Sequence, residues 1–245
     1  MKSIIITLSI FMGLFTNDHM VKDYDFEKAW QEVEKLNNQG LPESALKKTK
    51  EIYDAAVSFN NKPQIVKSLI HIARYTINTD EKGIEKSIER FEKEIVKQKS
   101  PVNRILASYL AELYQKYFDN FRWEISQRTD LATAVGSDFR TWSTQPFLKT
   151  MEKWYLYSVE NKKDLEISIE NYKDIAQKYD TEAVTFRPNL FEVLADRALD
   201  FFNNYQDYSP ENASSFQVDK EIYFADADAF VNAKLISEDQ DALSY

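Results

Sequence analysis

The groups best suited to chemistry in this chain are two imidazoles, His19 and His71, and a large set of carboxylates. A metal centre or a general base built on histidine needs partners at close spacing, and the surrounding string "SLIHIARY" gives His71 none. It reads as a histidine on or beside an apolar helix face. Asp226 and Asp228 in "DADAF" stand two apart but lack the further oxygen ligands and the glycine of a calcium loop. No glycine-flanked nucleophile turn and no phosphate loop is present. Cysteine is absent, which removes disulfides, thiol catalysis and the lipid-modified cysteine of a lipoprotein. The sequence therefore assigns no catalytic residue, no metal ligand and no cofactor.

The most site-like stretch is "YFDNFRWEISQRTDLATAVGSDFRTW", residues 117–142, where aromatic rings alternate with Arg122, Arg128 and Arg140. Exposed tryptophans beside arginines stack on sugars or dominate protein interfaces. Tyr117, Phe121 and Ile125, however, lie four apart and continue the stripe of Leu106, Leu110, Leu113 and Tyr114. That register places the rings mainly in the core, at the end of a long helix, with Arg122 and Arg128 pairing nearby carboxylates or loop carbonyls. The loop from Arg128 to Trp142 is where a ligand or partner contact is expected, through Arg128, Arg140 and Trp142.

These residues need a scaffold, and the composition favours an all-α one. Four glycines and six prolines in 245 residues leave few hairpin turns, while 43% hydrophobic residues suffice for a core. Helical spacing of apolar residues begins with Phe26, Trp30, Val33 and Leu36 and resumes after "GLPES". It continues through 65–75, 84–96, 102–121, 147–159, 165–179 and 190–205. The strings "SALKKTKEI", "KSIERFEKEI" and "ISIENYKDI" are each followed by a proline opening the next helix: Pro63, Pro101 and Pro188. Ten residues after each proline stands an alanine, Ala73, Ala111 and Ala198, small enough for close helix approach. This weak repeat predicts helical hairpins stacked as a tetratricopeptide-like α-solenoid over 21–205, with an irregular bundle as the alternative.

The ends differ from this middle. Residues 1–20, with Lys2 before the apolar run 4–15, have the pattern of a signal peptide and predict export to the periplasm or outer membrane, with no transmembrane helix beyond the leader. Residues 206–245 lose the helical period and form an acidic, partly extended segment, eight acids against Lys220 and Lys234 after residue 210, that reads as the start of a missing continuation. A net charge of −9 and the lack of a basic stripe argue against a nucleic-acid partner.

Five strings, in order, carry a family resemblance: "GLPESALKKTKEIYDAAVSFNNKPQIVKSLIHI" (40–72), "LAELYQKYFDNFRWEISQRT" (110–129), "DFRTWS" (138–143), "TFRPNLFEVLADRALDFF" (185–202) and "FADADAFVNAKL" (224–235). From about residue 24 onward the chain resembles the N-terminal helical region of bacterial alpha-2-macroglobulin-like proteins of the Bacteroidetes type. The resemblance implies a secreted or outer-membrane-associated family of protease traps and endopeptidase inhibitors, in which β-sandwich domains follow a helical region and many members carry a cysteine–glutamine thioester. This chain has no cysteine and hence no thioester, so no functional residue of the family maps onto it. The expectation is a non-catalytic, exported helical-repeat module for protein–protein contact, a truncated or split product whose partner is the remaining macroglobulin domains or a protease. The alternative is an envelope carbohydrate-binding helical protein using Trp123, Trp142 and neighbouring arginines.

Overall fold

A computed structural model describes residues 24–128, 138–172 and 188–205. Seven helices longer than a single turn or so order these residues, the first six being α1 (Phe26–Asn38), α2 (Pro42–Ser58), α3 (Lys62–Thr79), α4 (Gly83–Lys97), α5 (Val102–Asn120) and, past the short α6 (Arg122–Ser126), α7 (Thr144–Val159). A one-turn α8 (Lys162–Leu165) precedes the last, α9 (Leu190–Tyr205). Among the described residues there is no strand, only an isolated antiparallel bridge between Ser168 and Asn189. The expected leader, the acidic segment 206–245, His19 and the "DADAF" acids all lie outside the described residues.

The first two turns repeat one device. Gly40 sits at φ +70° just past α1, where its N–H donates to Asn37 O and that of Leu41 reaches back to Leu36 O. Asn60, at φ 50°, does the same past α2, with bonds from Asn60 to Val57 O and from Asn61 to Ala56 O. Each turn satisfies carbonyls a helix end leaves open, and a left-handed residue is needed at its centre. Pro42 and Pro63 then occupy the first turn of the following helix, where no backbone donor is missed. The Asn61 side chain accepts from Gln64 N at 3.3 Å and adds a cap to α3.

Each of the long helices packs on the next, and α5 additionally meets α3 and α9. On the inner side α1 reaches α3 through Trp30, whose Nε1 donates to Gln64 Oε1 at 2.6 Å and whose ring lies 4.8 Å from that of His71. On the outer side α2 and α4 meet where Tyr53 donates to Glu94 Oε2 at 2.8 Å. The result is two layers of stacked hairpins, α1, α3, α5 and α9 in one, here called inner, and α2, α4 and α7 in the other, here called outer. This is the all-α hairpin stack the repeat predicts. The three marker alanines, Ala73, Ala111 and Ala198, are all buried, and His71 packs among aromatic rings.

Two expectations change. The helix expected over 165–179 ends at Leu165, and Ile169 donates to Pro188 O while Leu190 donates to Ile167 O. Ile167–Ser168–Ile169, with two β-branched isoleucines, takes this short extended pairing before a 3-10 turn at Ile169–Tyr172; residues 173–179 lie outside the described residues. The long helix also breaks at Phe121, which ends α5 and opens α6. The break leaves Phe121 38% exposed and Ile125 fully buried, so the stripe is kept by Ile125 and lost at Phe121.

The tightest backbone approach is at Gly83, where a Cβ would stand 2.4 Å from Thr76 O and 2.5 Å from Ile77 Cα. The neighbour is backbone and cannot rotate away. Gly83→Ala is expected to cost about 1–3 kcal/mol by forcing α3 and α4 apart, read as a lower urea midpoint. A midpoint equal to that of the unsubstituted chain would refute the close approach.

Candidate functional site

The inner layer owes its shape to α5. Its apolar positions are consumed by contacts with α3, α4, α7 and α9, leaving one polar line at helical spacing: Glu112, Gln115, Lys116 and Asp119. The helix α9 faces this line with Arg197, Asp200 and Asn204. Between them runs an open cleft of about 740 Å³, with Tyr155 and Phe201 contributing aromatic surface.

Electrostatics hold the cleft walls together. Arg197 is a nearly buried cation whose Nη2 donates to Glu112 Oε2 at 2.6 Å and whose Nε donates to Ser108 Oγ at 2.8 Å, with the guanidinium 4.3 Å from the Tyr109 ring centroid. Burial works against its charge, but Glu112, helped by Tyr109 and Tyr155, outweighs that and holds the guanidinium above its ordinary range. At the far end Tyr205 donates to both carboxylate oxygens of Asp119, at 2.8 and 2.9 Å, and Arg122 pairs with the same carboxylate. Tyr155 donates to Gln115 Oε1 at 3.2 Å.

The titratable groups of the cleft are engaged with one another. Glu112 and Asp119 are committed to cationic or hydroxyl partners, and Tyr109, Tyr155 and Tyr205 are all shifted upward, away from the range useful to a general base. Among the described residues no group of three or more His, Cys, Asp or Glu could hold a metal ion. No helix among them is long and apolar enough to cross a membrane.

A second recess adjoins the first and shares Glu112 and Lys116 with it. It lies between α3 and α5, holds about 180 Å³, and has Ile70, Ala73 and Leu113 in its walls with Phe91 of α4 below.

The contact residues expected from sequence lie elsewhere. Arg128 Nη1 donates to Trp142 O at 2.7 Å, bringing these two together across the loop, of which 129–137 lie outside the described residues. Trp142 stacks on Tyr114 at 5.9 Å and 12° and meets Phe147 edge-on at 5.4 Å. Arg140 is exposed, bonds Asp138 Oδ1 through Nε at 2.7 Å and approaches Glu89 of α4 at 3.9 Å. All three thus have intramolecular partners, around a cluster centred on Tyr114. Two residues separate Tyr114 from Glu112, about 200° around the helix, so that cluster and the cleft occupy opposite sides of α5. The signal for the cleft was the polar line within an apolar helix, together with Arg197 inside "LADRALDFF".

Compared with known proteins, the chain matches no family model, no curated protein and no solved structure.

The phenols set an alkaline limit. Burial, then the bond to Asp119, pushes Tyr205 up to about 12; burial, then Glu92, raises Tyr114; burial raises Tyr155 and Tyr109. The unfolded chain ionises these phenols near their ordinary value of 10 while the folded chain keeps them protonated, so their stabilisation is complete below pH 10 and is lost as pH rises toward 12. Phenolate absorbance at 295 nm and loss of helical ellipticity are expected to rise together in that window. Titration of every tyrosine near pH 10 with the helices intact would contradict the packing.

Proposed function

We propose that this chain is a non-catalytic helical-repeat module that makes protein–protein contacts along the inner face of its stack. In this reading it is exported to the periplasm or outer membrane and is related to the N-terminal helical region of alpha-2-macroglobulin-like proteins, as a truncated or split product. Its partner is the remaining macroglobulin domains or a protease. The observation that carries the contact reading is the pair of adjoining recesses along α5, one polar and one apolar, lined from three successive inner helices. Stacked-hairpin proteins bury their apolar faces between repeats and leave an extended inner surface for a partner. The reading also draws on the leader-like residues 1–20 and on the five strings of family resemblance. Trp123, 73% exposed, favours the carbohydrate alternative, but it stands alone, because Trp142 is packed against Tyr114.

The test is capture from envelope extract with three folded baits. The unsubstituted chain and Lys50→Glu, a change on the exposed side of outer helix α2, should recover the same discrete protein; Gln115→Arg combined with Asn204→Arg should not. Recovery of nothing by a well-folded bait, or recovery indifferent to the cleft substitutions, would sink the reading.

A further inference from the structure

The apolar recess between α3 and α5 has a cationic rim. Arg74 and Lys116 stand at its edges, both exposed, and neither forms a hydrogen bond or ion pair among the described residues. The acid nearest at hand, Glu112, is taken by Arg197. Two cations with no ion-pair partner among the described residues thus flank an apolar slot in a chain of net charge −9.

Size narrows the occupant further. About 180 Å³ is close to the ~150 Å³ apolar cavity that accepts a benzene ring and falls below the ~300–1,000 Å³ of small-molecule and cofactor sites. One side chain fits. Ile70, Ala73, Ile77, Phe91 and Leu113 make its floor apolar, with Asn78 and Glu112 among the polar lining, so the seated side chain is apolar, and the walls come from the well-packed α3, α4 and α5, so the slot exists before anything binds.

Resting on the reading of the inner face as a contact surface, we infer that this slot is the specificity pocket for an acidic segment of a partner protein, which seats one leucine-sized apolar side chain between Ala73 and Leu113 while flanking carboxylates pair with Arg74 and Lys116. The apolar anchor supplies residence and the charges supply selection and speed of encounter. Arginine at one edge gives the geometry for a two-point bond to a carboxylate, and lysine at the other gives a mobile point charge.

The test uses the full chain and three fluorescein-labelled pentapeptides, Asp-Glu-Leu-Glu-Asp, its Ala-centred counterpart and Lys-Lys-Leu-Lys-Lys, titrated by fluorescence anisotropy at low salt. The acidic leucine peptide should bind saturably, about tenfold or more tighter than the alanine version, with no measurable binding of the basic one. Arg74→Glu with Lys116→Glu, both exposed, should keep the helical spectrum and weaken the acidic peptide by about tenfold or more, and raised salt should weaken it too. No saturable binding overturns the inference, and that includes the case in which the chain's own acidic segment or a second copy already holds the slot. Equal affinity for the three peptides, or indifference to the double substitution, overturns it as well. Capture of a partner that depends on Gln115 and Asn204 but not on Arg74 and Lys116 would remove this pocket's role and leave the module reading standing.

Discussion

Burial of α5 on nearly every side is the constraint from which the rest follows. Twelve of its nineteen residues are buried, and it is packed by α3, α4, α7 and α9 at once. A helix surrounded in this way has room for polar side chains only on the narrow line its neighbours leave uncovered. The same constraint explains the pairing of Arg104, which is buried and donates from Nη1 to Tyr157 O and Glu160 Oε2 at 2.6 and 2.9 Å. It also explains Arg197, whose charge is tolerable only because Glu112 and Ser108 meet it.

One side of α5 packs an aromatic cluster and the other borders the cleft and the slot. Tyr114, Tyr117 and Phe118 join Phe139, Trp142 and Phe147 in a cluster of edge-on and offset rings at centroid distances from 5.2 to 6.4 Å. Such contacts add about 0.5–1.5 kcal/mol per pair to the area they bury. Arg128 closes this cluster by holding the Trp142 carbonyl, which makes the aromatic, arginine-rich stretch a fastening between α5 and α7. The opposite side carries the cleft and the apolar slot, where acids and cations are arranged along the surface and the slot is ready-made.

What was legible in the sequence was whatever is encoded within a few residues. The helical period, the prolines at 42 and 63, and the break at "GLPES" are local, and they sufficed for the hairpin stack. So did the register that buries Tyr117 and Ile125. The break at Phe121 and the extended turn at Ile167–Ile169 were hidden because partners distant in sequence decide them: Ile169 bonds Pro188, and Tyr205 reaches Asp119. The cleft was hidden for the same reason, since Arg197 and Glu112 stand 85 residues apart. The aromatic stretch drew attention by composition, but apart from the exposed Trp123 its rings pack largely on one another, whereas the cleft is lined by ordinary polar residues brought together from distant positions.

If α5 is the member on which the stack depends, it should be the last part to open. Native-state hydrogen exchange measured by mass spectrometry on overlapping peptides tests this directly. The account predicts that amides between Leu106 and Phe118 exchange only through global unfolding, with a free energy equal to that from urea melts, while those of α1 exchange through smaller openings. Protection of α5 no greater than that of α1 would contradict it.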